Sequence, residues 1–380
     1  MILASMILAS PTPIAKVSLV PPEPLTLGGY TARGGAKFVP GGDEISVRAF
    51  KQERSVIVVA EMLTIPESLL DAVQARVGPN LRVVLIATHT HCAPDSQRLN
   101  SRMTFPVPGI ATFNRRWLDW TADKIATAVN QAPPMEGRWQ MQQARVGLSR
   151  PRRQGGVPTQ IATRFLLNGQ PILDIFAAHP TLFDEQELKL RGDWPGELMN
   201  RTSGMAVTGA IGDLSPVPIF PKLDGKTNSI TFARELDTAL LKSRRSELGN
   251  QPFKIWTQTI ELPKVTPHPT FAKEYKVTDQ LAESVVGKFA PPIAQLTFIK
   301  IGEWTLVGVP GEPTSEVARM IRGLRPKTEV ISHVNGWCGY ILSAPDYGRG
   351  GYEATLAFNG PTMAQAIVNA ARKGLKNSPN

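Results

Sequence analysis

The chain holds only five histidines, and two of them are separated by a single residue at the end of an apolar segment. Residues 83–87 are β-branched and aliphatic, which predicts a buried strand, and Thr88-His89-Thr90-His91 follows at once. In an extended chain, residues i and i+2 point to the same side, so both imidazoles can face one cleft. Neutral imidazole is the commonest protein ligand for zinc and related metals. The pair therefore predicts a metal site or, as the structural alternative, two hydrogen-bonded histidines at a strand end.

A histidine and a glutamate follow two further predicted strands. The apolar segment 172–178 ends at His179, and the segment 304–309 leads to Glu312 just before a predicted helix. His179 alone is explained equally well by a structural role, but together with the first pair it favours a site. The glutamate either complements the helix dipole and the free N–H groups of the first turn, or it serves as a carboxylate ligand.

Strands and helices must alternate to bring these residues together. Buried strands are predicted at 56–60, 82–87 and 172–178, a hairpin at 296–309, and helices at 66–77, 118–129, 232–243, 316–324 and 363–371. This order predicts an α/β fold of stacked mixed β-sheets flanked by helices. We expect residues 1–26 to be an irregular proline-rich segment and residues 27–380 to form a single catalytic domain. The polar residues 263–292 are the best candidate for an insertion over its body.

Composition limits the function classes. Forty-two Lys and Arg against 32 Asp and Glu give a net charge of +10, which favours acidic partners such as an anionic membrane surface. The basic residues are scattered, so no nucleic-acid partner is expected. Two cysteines, Cys92 and Cys338, exclude a disulfide framework, and we interpret both as small buried residues. The repeated MILAS at the N-terminus is either the end of a signal peptide, which implies a secreted or periplasmic protein, or a frayed end of a cytoplasmic one.

Several motifs, in order along the chain, resemble the catalytic domain of the neutral ceramidases, zinc-dependent amidases that cleave N-acylsphingosine. The family's Thr-His-Thr-His-Ser-Gly-Pro is similar to residues 88–94, and its Gly-Asp-Val-Ser-Pro is similar to residues 212–216. Its Pro-Gly-Glu-Phe-Thr resembles residues 310–314, and its two tyrosines, twelve residues apart, resemble Tyr340 and Tyr352. The resemblance extends from about Gly29, through the segment Ser46-Val47-Arg48-Ala49-Phe50, to Ala371.

The resemblance implies a ligand set and a reaction. The residues that correspond to the family's zinc ligands are His89, His179, Glu312 and Tyr340. Two imidazoles, a carboxylate and a phenolate suit Zn²⁺ and leave room for a water. His91 would then be the acid–base residue, with both histidines of the pair binding metal as the alternative, and Tyr352 and Arg150 would stabilise the tetrahedral oxyanion. The implied reaction is hydrolysis of an N-acyl amide bond, in ceramide or a related lipid-like amide, by a metal-activated water.

The sequence also departs from the family. Its Ser-Gly-Pro-Gly-Gly is replaced by Cys-Ala-Pro-Asp-Ser at residues 92–96, and the match around Arg150 is poor. Family members carry a further C-terminal immunoglobulin-like domain, for which we identify no counterpart before Asn380. Two other hypotheses stay open. Ser215 would be an acyl-forming nucleophile, although its neighbours are also turn formers. Alternatively, the charge of +10 marks a basic membrane- or nucleic-acid-binding module with a vestigial pocket.

Overall fold

The computed structural model describes residues 13–379, so the hypothesis of a signal peptide in the MILAS repeat lies outside the described residues. The strands, in chain order, are β1 (Ile14–Ser18), β2 (Ser46–Gln52), β3 (Ser55–Ala60), β4 (Arg82–Ala87), β5 (Trp139–Arg145), β6 (Ser149–Pro151), β7 (Ile161–Leu167), β8 (Gln170–Phe176), β9 (Met205–Thr208), β10 (Leu214–Pro216), β11 (Arg245–Gly249), β12 (Lys254–Ile260), β13 (Ala294–Ile301), β14 (Trp304–Gly308), β15 (Glu312–Pro313), β16 (Thr328–Ile331) and β17 (Tyr340–Ile341). The helices are α1 (Glu67–Val77), α2 (Arg115–Gln131), α3 (Asp193–Thr202), α4 (Gly225–Lys242), α5 (Phe271–Glu274), α6 (Asp279–Phe289), α7 (Ser315–Arg322), α8 (Ala344–Gly348), α9 (Tyr352–Thr355) and α10 (Met363–Lys376).

The first sheet has the strand order β1-β2-β3-β4 and is covered on both faces. Alternate residues of β3 serve the two faces. Val56 and Val58 pack in the cluster that contains α1 and α2, whereas Ile57 and Val59 pack in the cluster shared with the other sheets. Burial on both faces explains why β3 and β4 are continuous apolar runs rather than alternating ones. Each such side chain contributes about 1.5–3 kcal/mol through burial.

Two larger sheets complete the body. The second has the order β11-β5-β7-β8-β9, and the third has the order β12-β13-β14-β16. Each of the three sheets contains one parallel pair at an edge, β3 with β4, β8 with β9 and β14 with β16. The helices α1, α3 and α7 lie between the two strands of these pairs in the chain. Two short pairs, β6 with β10 and β15 with β17, connect the loops beyond the sheets.

The carboxyl ends of the parallel edge strands meet at one place. The amide of Ala87, the last residue of β4, donates to the carbonyl of His333, which follows β16 (3.2 Å). The amide of Ser332 donates to the carbonyl of Thr208 at the end of β9 (3.0 Å). Ligand sites of α/β proteins lie beyond the carboxyl ends of strands, so this junction is where a site is expected.

The predicted fold class is confirmed, because the chain folds into mixed sheets flanked by helices as a single domain. The predicted strands at 56–60, 82–87 and 172–178 correspond to β3, β4 and β8, and the predicted hairpin corresponds to β13 and β14. None of the described helices is both long and apolar enough to cross a membrane.

Two expectations need correction. The segment 1–26 is not irregular throughout, because residues 14–18 form β1 and pair with β2 through a complete antiparallel register. Residues 1–12 of that segment lie outside the described residues. Residues 263–292 look polar in sequence, yet they fold into α5 and α6. The apolar side chains of these helices pack together in a small cluster of their own.

Candidate metal centre

The four predicted ligands lie at the strand-end junction. His89 follows β4 by two residues and has a left-handed backbone conformation (φ +66°), which turns its side chain inwards. His179 follows β8, and Glu312 opens β15 directly beyond β14. Tyr340 opens β17 and is the parallel register partner of Glu312. All four side chains are buried, the most exposed being Tyr340 at 4%.

Backbone carbonyls determine the tautomers of two of the imidazoles. His89 Nδ1 lies 2.7 Å from the carbonyl oxygen of Leu63, and His179 Nδ1 lies 3.3 Å from that of Ile211. A carbonyl oxygen only accepts, so each Nδ1 carries the proton and each Nε2 presents a lone pair. Burial, followed by the nearby Arg152 charge, holds the pKa of His179 well below its usual value, which keeps this ring neutral. Both rings are thus prepared as ligands.

Glu312 adds a carboxylate oxygen without a donor of its own. Trp337 Nε1 donates to Oε1 at 3.0 Å, whereas Oε2 is buried and has no hydrogen-bond partner among the described residues. Burial alone would raise the pKa of this carboxyl. The imidazoles around it, His89 first, hold the pKa well below its usual value, so Glu312 is ionised.

The spacing of these atoms fits a bound cation. The Nε2 atoms of His89 and His179 are 3.1 Å apart, and Glu312 Oε2 lies 3.5 Å and 3.8 Å from them. Four ligands at about 2.1 Å around a tetrahedral ion lie about 3.4 Å from one another. Two lone pairs and a carboxylate oxygen converge here with no proton between the two nitrogens. A divalent cation turns that repulsion into coordination.

Tyr340 is held by a guanidinium. Arg152 donates to Tyr340 Oη (3.0 Å) and to the carbonyl of Gly212 (2.9 Å), and its Nε pairs with Glu353 Oε1 (2.8 Å). Burial, followed by the Glu312 carboxylate, raises the pKa of Tyr340 well above its usual value, and Arg152 opposes that shift. Arg152 is therefore the cation that would support a phenolate at this position.

The structure does not bring Arg150 into this group. Arg150 lies on β6 opposite Ser215, its side chain is exposed, and it is not among the residues that line the cavity described below. The short strand β6 ends at Pro151, and the chain then bends so that Arg152 turns inwards. The arginine beside the predicted ligands is thus Arg152, two positions later than the motif resemblance implied.

His91 faces the same point from the cavity side. Its Nε2 lies 3.3 Å from His89 Nε2, and its Nδ1 has no hydrogen-bond partner among the described residues. Tyr30 packs edge-on against the ring at 4.7 Å between centroids. Gly29 has φ +89°, and a Cβ there would lie 2.5 Å from His91 Cγ, so only glycine allows the chain to pass this close.

An apolar cavity of about 430 Å³ opens onto these side chains. Its floor contains His89, His91, Glu312 and Tyr340, and Tyr352 lies in its wall. Apolar side chains from the loop 105–110 and from α5 and α6 form much of the rest, including Phe105, Val107, Phe271, Leu281, Val285 and Phe289. The segment expected to be a polar insertion therefore supplies an apolar wall of the site.

The motif Gly212-Asp213-Leu214-Ser215-Pro216 supports the glutamate loop. Asp213 accepts hydrogen bonds from Ser315 N (2.7 Å) and Ser315 Oγ (2.6 Å) and so caps the start of α7. A Cβ on Gly212 would lie 2.5 Å from the carbonyl oxygen of Glu312. In the described chain no histidine or carboxylate bonds the hydroxyl of Ser215, which therefore lacks the base that a nucleophile needs.

The cysteines are small buried residues, as expected. Cys92 and Cys338 are each 1% exposed, and both are free thiols. Arg33 donates to Cys92 Sγ (3.4 Å), but burial dominates and raises the pKa of this thiol to about 12. Neither cysteine belongs to a group of described side chains that could hold a metal ion.

Sequence reasoning missed two residues of this site, Arg152 and His333. His333 follows β16 by two residues, just as His89 follows β4, and it stacks on the His89 ring. The signal of a histidine directly beyond a predicted strand was present in the sequence at 329–333. For Arg152 the signal was a choice among Arg150, Arg152 and Arg153, which only the end of β6 decides.

No protein-family model and no curated protein sequence matches the chain. Solved structures do match. Neutral ceramidase from Pseudomonas aeruginosa superposes with a TM-score of 0.76 over 97% of this chain and 74% of its own, at 16% identity. A structure described as ceramidase complexed with C2 gives a TM-score of 0.75 over 96% and 75%, at 15% identity. The chain has the fold of neutral ceramidase. The fold implied by the motifs of neutral ceramidase is thereby confirmed, at an identity that speaks to the fold alone.

Proposed function

We propose that this chain is a zinc-dependent amidohydrolase that cleaves the N-acyl amide bond of ceramide or a related lipid-like amide. The observation that supports this function best is the convergence of two imidazole lone pairs and an unpaired carboxylate oxygen at the floor of an apolar cavity. His89, His179 and Glu312 would hold the ion, and Tyr340 would join them as a phenolate beside Arg152. The neutral ceramidase fold and the order of the motifs support the same assignment.

The cavity supports a substrate with long apolar chains. Its volume of about 430 Å³ lies within the range of about 300–1,000 Å³ typical of small-molecule sites. Each methylene buried against such walls contributes about 0.8 kcal/mol to binding. A lipid-like acyl group therefore binds far more tightly than a short one, and the polar floor selects the position of the amide.

The side chains divide the chemistry among themselves. A bound divalent ion would supply Lewis-acid polarisation of the amide carbonyl and a water acidic enough to attack it near neutral pH. Burial, followed by the nearby His89, holds the pKa of His91 well below its usual value, so the ring is neutral and able to accept a proton. His91 takes the proton of the attacking water and returns it to the nitrogen as the C–N bond breaks. One water is consumed, and a carboxylic acid and an amine are released.

Tyr352 would donate to the oxyanion. Half of this residue is exposed to solvent, at the mouth of the cavity, and its ring lies 6.0 Å from that of Tyr340. Its buried surroundings, followed by the Glu312 carboxylate, raise the pKa of Tyr352, so the phenol keeps its proton. A neutral phenol beside the reacting carbonyl stabilises negative charge that develops on the oxygen.

The function is tested by measuring metal content and hydrolysis together. The purified chain is assayed by inductively coupled plasma mass spectrometry and with fluorescent N-acyl amines of increasing acyl length. We expect one zinc ion per chain and a kcat/KM that rises with acyl length. Folded, zinc-loaded protein that hydrolyses none of these amides would overturn the proposed reaction, and folded protein that binds no metal would overturn the proposed centre.

The net charge favours a further partner. A charge of +10 attracts the chain to an anionic membrane surface, where an amphiphilic substrate resides. Sedimentation with vesicles of neutral and anionic lipid, across a salt series, tests this contact. Binding to anionic vesicles that falls as salt rises is expected, and equal binding to both vesicle types would contradict it.

A further inference from the structure

His333 occupies a position in the junction that parallels that of His89. Both residues follow a parallel edge strand by two residues, and both have left-handed backbone conformations, with φ +57° for His333 and φ +66° for His89. Such conformations are strained for a non-glycine residue and persist where the surroundings impose them. Here the amide of His333 donates to the carbonyl of Gly311 (3.2 Å), and its carbonyl accepts from Ala87. Asn335 binds back to Leu85 of β4 through both its amide and its side chain.

This backbone frame directs the His333 ring into the cluster. The ring stacks on that of His89, with centroids 3.9 Å apart and planes inclined by 13°. One ring nitrogen of His333, one ring nitrogen of His89 and a carboxylate oxygen of Glu312 all lie within 4.8 Å of one another. The ring is therefore next to the same unpaired carboxylate that the other two imidazoles approach.

The His333 ring has no role in the hydrogen bonding of the core. The residue is 0% exposed, and neither ring nitrogen has a hydrogen-bond partner among the described residues. A neutral imidazole always carries one N–H, and leaving that donor unpaired in the interior is costly. An apolar ring of the same size would pack against His89 without that cost. A nitrogen lone pair next to Glu312 is what histidine adds here and phenylalanine would not.

We propose that His333 is a protein ligand of the ion held by His89 and Glu312. This inference rests on the proposed metal centre and extends it. The ion would be surrounded by three strand-end imidazoles, one from each sheet, namely His89, His179 and His333, together with Glu312 and Tyr340. With more than four protein donors, the ion is five- or six-coordinate once water binds, rather than tetrahedral. Such an imidazole-rich set also suits Co²⁺ and Ni²⁺.

Cobalt binding tests this ligand without reference to catalysis. Metal-free protein is titrated with Co²⁺, and both the Kd and the visible absorption of the bound ion are recorded, because that absorption is stronger for four-coordinate than for six-coordinate Co²⁺. The variants are His333→Asn, since asparagine tolerates positive φ, and His333→Phe, which keeps a stacked ring. His268→Phe is the matched control, because His268 is also buried but bonds Thr270 and the carbonyl of Tyr347.

We expect the wild type and His268→Phe to bind one Co²⁺ per chain with the same Kd and the same spectrum. Both His333 variants should bind with a Kd at least about tenfold higher and with a changed spectrum, since an outer-shell contact alone already changes affinity by about 10–100-fold. Unchanged Kd and spectrum in a folded His333 variant would overturn the role of His333 and leave the proposed function standing. A wild type that binds no Co²⁺ or Zn²⁺ would overturn both. Loss of binding in His268→Phe as well would mean that His333 has no specific role.

Discussion

Replacing Arg152 by methionine should damage the site, whereas the same change at Arg150 should not. Methionine keeps the apolar stem of the arginine and removes only the guanidinium. Arg152 makes contacts to Tyr340 Oη (3.0 Å), the Gly212 carbonyl (2.9 Å) and Glu353 Oε1 (2.8 Å). Glu353 retains Arg153 at 2.6 Å, so the loss falls mainly on Tyr340 and Gly212.

The size of the effect follows from these contacts. A hydrogen bond to a charged group contributes about 1.5–3 kcal/mol, and the Arg152 side chain is only 23% exposed, so screening by solvent is modest. If the Tyr340 contact persists in the transition state, Arg152→Met should lower kcat/KM by about 10- to 150-fold. It should also weaken metal binding, because the phenolate loses its neighbouring cation. Arg150→Met changes an exposed side chain and should alter the free energy of unfolding by no more than about 0.5 kcal/mol.

The assay compares hydrolysis of one fluorescent N-acyl amine, zinc content and urea unfolding for the two variants and the wild type. Equal activity losses in the two variants, or full activity and full zinc content in Arg152→Met, would refute the assignment of Arg152 as the cation beside Tyr340.

Three further outcomes are expected. Cys92→Ser and Cys338→Ser should each retain one zinc per chain, because neither thiol belongs to a metal-holding group; loss of zinc from either would show that the ligand set is wrong. Ser215→Ala should keep its turnover, since its hydroxyl bonds no base, and a variant that is inactive but zinc-loaded would revive the nucleophile hypothesis. Burial raises the pKa of Glu61 from 4.5 to about 7. Its stabilising protonation is complete below about pH 4.5 and is lost as the pH rises through about 7. Between pH 8 and pH 5 the wild type should therefore gain about 2.5 kcal/mol of unfolding free energy relative to Glu61→Gln, measured by urea unfolding, and a pH-independent difference would contradict this.

His89, His179 and Glu312 were predictable because each follows an apolar strand that is easily recognised. A side chain directly beyond a buried strand has few destinations other than the site at the carboxyl edge. Tyr340 was predictable only through the resemblance, because β17 is two residues long and carries no periodic pattern.

Other features depended on long-range packing. Three sheets meet through loops more than a hundred residues apart in the chain, such as those of Ser332 and Thr208, and local patterns do not encode such pairings. His333 was overlooked because its inward orientation depends on a left-handed backbone that only the contact with β4 explains. The choice of Arg152 over Arg150 depends on where a three-residue strand ends, and boundaries are the least predictable part of a strand.

The most direct test of the central claim is zinc stoichiometry, measured with turnover, in His89→Ala and His91→Ala side by side. His89 offers a lone pair 3.1 Å from that of His179, so His89→Ala should lose zinc and activity together. His91→Ala should retain one zinc per chain and lose roughly 10²- to 10⁴-fold in turnover, the usual contribution of a positioned acid–base group. Equal loss of zinc from both variants would contradict the account, because His91 would then be a ligand rather than the residue that carries the proton.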